Sequence, residues 1–111
     1  MSLENEGRRR RNLGVSLVSK NILEGKGKLK WCIKTETSNP DDNGWMFFSD
    51  IDNDDFLKAP KNMVLVQWDE IVEIEPTIEI IYSCPIGTDL MLIEEKGEKH
   101  FFNSETGCRV L

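Results

Sequence analysis

Between Thr35 and Gly44 the chain collects Ser38, Asn39, Pro40, Asp41, Asp42, Asn43 and Gly44, residues that each favour a turn by a separate mechanism. On one side of this cluster Leu29, Trp31 and Ile33 alternate with Lys30, Cys32 and Lys34. On the other, Trp45, Phe47 and Phe48 fall within one short run. Two strand-length stretches flanking a turn cluster make an antiparallel pair. The period of two sends the lysines toward water and Leu29, Trp31 and Ile33 toward a core. Any fold open to this chain therefore contains a half-buried sheet.

The remaining segments supply strands and short helices around that pair. Val15, Leu17 and Val18 lie in a β-favouring stretch, and Ser19 is placed to cap a helical turn from Lys20 to Glu24 that Gly25 closes. Asp52 or Asn53 is placed to cap a short helix containing Phe56 and Leu57, which Pro60 ends. Met63 to Trp68 is an apolar run of strand length, and Asp69 stands at a cap position for a helix after it. Ile71, Ile74, Ile78 and Ile81 follow at helical spacing, interrupted by Pro76. That pattern reads as two short helices meeting at the proline, with a strand from Thr77 to Tyr82 as the alternative. Cys84 to Gly87 is a turn, and Leu90 to Glu94 and Glu98 to Asn103 flank Lys96 and Gly97 as a hairpin. The expected architecture is α+β: residues 13–111 as a single domain, a mainly antiparallel sheet of about five strands and two to four short helices. Residues 1–12, with Arg8, Arg9, Arg10 and Arg11 and almost no apolar content, read as a flexible basic tail.

Charge is distributed unevenly. The net charge is −6, but Met1 to Pro40 holds nine basic and four acidic residues, and Asp41 to Glu95 holds two basic and fourteen acidic. An acidic middle repels nucleic acid and favours a basic protein partner, chiefly by speeding encounter. The pI of 4.8 points away from nucleic-acid binding, whatever the arginine run does. No apolar stretch reaches membrane-spanning length, and no apolar signal region follows the arginines, so the expectation is a cytoplasmic protein with no membrane role.

Catalytic chemistry finds little to work with. His100 is the only histidine and sits in an expected strand beside Phe101; Cys32, Cys84 and Cys108 are an odd number with no close pair. Neither a disulfide framework nor a four-ligand zinc site follows. Asp50, Asp52 and Asp54 occupy the first, third and fifth places of a calcium loop, but Asp55 stands where its glycine belongs and Lys61 where its bidentate glutamate belongs. No phosphate-cradling glycine loop is present. The expectations are no catalytic residues, no cofactor, no metal and no enzymatic activity.

What stands out instead is aromatic and acidic. Trp45 and Phe47 point to one face of their strand, and Met46 and Phe48 to the other. Exposed rings beside carboxylates have the composition of a protein-binding hot spot; the alternative is that both sets of rings are buried. Trp45, Phe47, Phe48, Asp50, Asp52, Asp54, Asp55, Trp68, Asp69 and Glu70 are the candidate contact residues.

Three stretches, taken in order, resemble one bacterial family. They are Leu17-Val18-Ser19-Lys20-Asn21-Ile22-Leu23, then Gly44-Trp45-Met46-Phe47-Phe48-Ser49 with the acidic run Asp50 to Asp55, and then Pro85-Ile86-Gly87. The family is immunity protein thirty-three, and the likeness covers about Val15 to Leu90. Met46 stands where the family often has arginine, and Asp50 where it often has glycine. The resemblance implies an α+β domain of the bacterial cytosol that binds and neutralises a polymorphic toxin. The other reading is a regulatory or adaptor domain without a cognate toxin.

Overall fold

A computed structural model describes residues 12–111. The arginine run and the expected basic tail, apart from Asn12, lie outside the described residues. In chain order the elements are β1 (Val15–Ser19), α1 (Lys20–Leu23), β2 (Leu29–Lys34), β3 (Asp42–Ser49), α2 (Asp54–Lys58), a 3₁₀ turn (Pro60–Asn62), β4 (Met63–Gln67), α3 (Trp68–Ile74), a 3₁₀ helix (Pro76–Ile81), β5 (Asp89–Glu95) and β6 (Glu98–Asn103). The fold is α+β, with the six strands in one sheet ordered β4-β1-β3-β2-β5-β6. β1 and β3 run parallel, and every other neighbouring pair is antiparallel.

Local chemistry accounts for the element boundaries. The Ser19 side chain accepts from the Asn21 N–H and starts α1; the Asn53 side chain accepts from the Phe56 N–H and starts α2. Of the two caps weighed for α2, Asn53 is the one used. Asp69 lies inside the first turn of α3 rather than capping it. Pro76 opens the 3₁₀ helix, where its missing N–H costs nothing. In a 3₁₀ helix residues three apart eclipse each other, so Ile78 and Ile81 share one buried face. Ile74 does not join them: it ends α3 and is 46 % exposed. Lys96 and Gly97 both take positive φ, as a tight hairpin turn requires.

One face of the sheet is closed by α3, the 3₁₀ helix and α1. Trp68, Ile71, Ile78, Ile81 and Ile22 from the helices meet Val18, Cys32, Trp45, Phe47, Leu90, Leu92 and Phe101 from the strands. Trp45 and Phe47 stack at 5.9 Å between ring centroids, Trp68 lies within 6.4 Å of both, and Tyr82 meets Trp68 edge-on at 4.8 Å. Both indoles satisfy their N–H inside this cluster, Trp45 on the Tyr82 carbonyl and Trp68 on Glu79 Oε1. Gly44 admits the approach of the two hairpin strands, since a Cβ there would collide with the Thr35 carbonyl oxygen.

β2 reverses the facing expected from its alternation. A bulge between Leu29 and Trp31 shifts the register, so Leu29 and Cys32 are buried while Trp31 and Ile33 lie half-buried on the opposite face. Lys34 does not point into solvent. Its ammonium donates to the Tyr82 and Cys84 carbonyls at 3.2 and 2.8 Å, beyond the end of the 3₁₀ helix, and lies over the Trp45 ring.

Candidate protein interface

The acidic run after β3 has two functions in the fold, and only part of it faces outward. Asp52 turns in. It accepts from the Ser49 N–H (2.8 Å), the Ser49 hydroxyl, the Ser19 hydroxyl (2.9 Å) and Asn21 Nδ2 (2.8 Å). Burial by itself would raise its pKa, but these hydrogen bonds outweigh burial and hold the carboxyl below its ordinary value. Asp52 is therefore a junction tying β1 and α1 to the end of β3. Asp50, Asp54 and Asp55 are exposed; Asp50 accepts from the Lys28 N–H, and Asp55 lies 3.7 Å from Lys58. Asp54 and Asp55 sit in the first turn of α2, where carboxylates favour the helix dipole.

The structure does not gather all the candidate contact residues. Trp45 and Phe47 are completely buried and Trp68 is 1 % exposed, so these three are corrected from surface anchors to core. The helices packed on the closed face consume them. Asp69 and Glu70 are in the first turn of α3, at the Gln67 end of β4, whereas Asp54 and Asp55 precede its Met63 end. The carboxylates thus form two groups separated by a strand. Of the aromatic candidates only Phe48 remains partly exposed, on the open face of the sheet, with Asp50 one strand step beyond it.

That open face is the feature the alternation hid. Cross-strand pairing sets Leu65 beside Leu17, Leu17 beside Met46, and Met46 beside Ile33. A second row sets Phe48 beside Trp31, Trp31 beside Met91, and Met91 beside Phe102. Each of these side chains is half-buried except Leu65, which is 53 % exposed, and none belongs to the core cluster. Among the described residues, the buried apolar residues of the helices, Ile22, Trp68, Ile71, Ile78 and Ile81, all belong to the core on the other side. An antiparallel sheet with one wet face ordinarily turns polar side chains to water; here both faces are apolar. Contiguous apolar patches on a protein surface are a feature of interaction sites.

His100 and Cys84, the two residues with nucleophilic or acid–base potential, are not brought together. His100 lies on β6 with Glu98 at 3.3 Å, in a cleft lined by Glu95, Lys96, Glu98, Phe102 and Arg109. Cys84 follows the 3₁₀ helix and packs against the core. Glu75 is buried and paired with Lys99 at 2.7 Å and with the Thr77 hydroxyl at 2.6 Å. Burial opposes its ionisation, but Lys99 and Thr77 outweigh it and keep the carboxyl below its ordinary pKa. This pair joins the helical layer to β6 and is structural. No group of three or more metal-ligating side chains occurs among the described residues, and no helix of theirs is long and apolar enough to cross a membrane.

The chain matches the family model of the immunity protein Imm33 domain over residues 16–102, and so belongs to that family. No curated protein and no solved structure matches it. The matched span begins in β1 and ends in β6, and it includes both rows of the open face.

Proposed function

Taking membership of the Imm33 immunity-protein family as the premise, we propose that this protein binds a toxin domain and neutralises it by occlusion, and that the open face of the sheet is the contact surface. The observation that carries the reading is the pair of apolar rows from Leu65 to Ile33 and from Phe48 to Phe102. Strands lie about 4.8 Å apart and same-face residues about 7 Å apart, so two rows of four side chains cover roughly 270 Å². That is about a third of the roughly 800 Å² a specific interface takes from each partner. The polar rim must supply the rest, and Asp50, Asp54 and Asp55 beyond Phe48 make it acidic. A basic toxin surface fits both the rim and the net charge of −6. Met46 and Met91 in the rows let the surface adapt to its partner. The proposed place of action is the cytoplasm, where an immunity protein meets a toxin entering or made in its own cell.

The test is co-purification of the full chain with the toxin domain encoded beside its gene. Met91→Glu and Trp31→Ala are expected to abolish or strongly weaken the complex while leaving the fold intact by circular dichroism. Glu73→Lys, exposed on α3 on the far side of the sheet, should bind like the wild type. A complex that survives both open-face variants would reject this surface. Recovery of an ordinary cellular protein in place of a toxin would support the adaptor reading instead.

A further inference from the structure

The sheet is not bonded evenly along its length. β5 pairs with β6 as far as Glu95 and Glu98, but its pairing with β2 ends at Trp31 and Met91, although β2 begins at Leu29. The bulge between Leu29 and Trp31 lies at this point, and a bulge bends a strand and disrupts its ladder. Between the parted strands and the turn joining β5 to β6 lies a cavity of about 520 Å³, a size within the roughly 300–1,000 Å³ of small-molecule sites. Both faces of the sheet contribute to its lining. Leu92 belongs to the core, while Ile93 beside it points to the open side.

Lysines collect around this cavity. Lys28 and Lys30 line it from the start of β2, Lys96 from the turn and Lys99 from β6, in a chain whose net charge is −6. Three carboxylates share the lining. Glu75 is held by Lys99 at 2.7 Å, and Asp50 accepts from the Lys28 N–H at 2.9 Å; Glu94 is the third. Lys28, Lys30 and Lys96 form no ion pair among the described residues. The Lys30 ammonium rests over the Trp31 ring, 5.1 Å from its centroid. Ammonium groups around one concavity repel one another and focus a positive field into it, and an anion placed there relieves the repulsion. Leu29 and Leu92 supply an apolar wall beside them.

We propose that this cavity binds a phosphate group among Lys28, Lys30 and Lys96, either as the free anion or as part of a small molecule whose remainder lies against Leu29 and Leu92. Lysine suits that role, because its ammonium is a compact charge with rotatable donors and needs no fixed fork geometry around the ligand. The Glu75–Lys99 pair is satisfied within itself, which fixes that part of the lining and leaves the other three ammonium groups to the ligand. Glu94 opposes binding by repelling the anion. The cavity shares no lining residue with the two apolar rows of the open face, and its ligand is of a different chemical class from the toxin.

Amide NMR titration of the full chain with inorganic phosphate and, separately, with adenosine monophosphate tests the proposal without any toxin present. Saturable shifts are expected at Lys28, Ile93 and Gly97. Lys28→Gln and Lys96→Gln should each weaken binding by about three- to tenfold. Glu94→Gln should tighten it, a change of sign that loss of folding cannot imitate. Lys61→Gln removes the same charge outside the cavity and should leave the affinity within about twofold of the wild type. Tighter binding of adenosine monophosphate than of phosphate assigns the cavity to an organic phosphate, and equal binding assigns it to the free anion. No saturable shift with either probe, shifts that lie away from the cavity, or a Lys61→Gln variant weakened as much as Lys28→Gln would each overturn the proposal.

Discussion

The two faces of the sheet are built from similar side chains and have opposite fates. On the closed face Trp45, Phe47, Leu90 and Phe101 are sealed under Trp68, Ile71, Ile78 and Ile81. On the open face Met46, Phe48, Trp31, Met91 and Phe102 shield one another only sideways. Composition alone does not separate the two sets. What separates them is whether a helix supplies a lid: α1, α3 and the 3₁₀ helix all bring their buried apolar residues to the same side. On the proposed reading, stability and recognition fall to different faces of the same strands, often to neighbouring residues.

The largest test of that division compares two tryptophans. Trp45→Ala removes a fully buried ring and the hydrogen bond that its indole makes with the Tyr82 carbonyl. It should cost ~3–5 kcal/mol, enough to leave a marginally stable domain largely unfolded. Trp31→Ala, on the open face, should cost roughly 1 kcal/mol or less. Urea denaturation followed by circular dichroism measures both, and comparable losses would mean that the open face is a second core.

The next contrast lies within the acidic run. Asp52 holds four hydrogen bonds from Ser19, Asn21 and Ser49, so Asp52→Ala leaves partly buried donors unpaired and should cost about 2–3 kcal/mol. Asp54→Ala, exposed on α2, should stay within about 0.5 kcal/mol. Equal effects at the two positions would dissolve the distinction between a structural and a surface carboxylate.

Much of the fold was legible because it follows from local rules. The Ser19 cap, the Pro76 break, the Lys96-Gly97 hairpin and the strand pair around Thr35 to Gly44 each depend on residues close in sequence. What was not legible depends on distant partners. The bulge at Leu29/Trp31 leaves no mark in an alternating pattern, yet it reverses which residues of β2 face the core. Alternation separated Trp45 and Phe47 from Met46 and Phe48, but with apolar residues on both sides it could not say which side the helices would cover. Asp52 looked like one acid among several because its donors at Ser19 and Asn21 lie some thirty positions away. The contact surface was sought among the rings of β3 and at Trp68, three of which the structure buries; the open rows combine side chains from six strands that no single segment displays.

Acid should act on the closed side of the molecule before it acts on the open one. Asp52 and Glu75 both have folded-state pKa values below their ordinary ones. The stability they contribute is thus fully present above the ordinary carboxylate range and is lost as pH falls through the lowered values. Stability should be flat near neutrality and decline below about pH 4. Asp52→Asn should flatten part of that decline while lowering the plateau; a variant with an unchanged acid limb would show that the carboxylate is not the titrating group.

The smallest expected effect is also the most specific to the open face. Met91→Lys places a charge where the side chain is already half in water, beside Trp31 and Phe102. A buried position could not accept it, since an unpaired charge in a core costs several kcal/mol. Here the midpoint of urea unfolding should move by no more than about 0.5 kcal/mol, and solubility should rise because the apolar rows are interrupted. That outcome would fit the proposed role of the open face as a contact surface, since the rows would then contribute almost nothing to folding. If Met91→Lys instead unfolds the protein, the open rows are part of what holds the sheet together, and the division of labour between the two faces fails at its most exposed point.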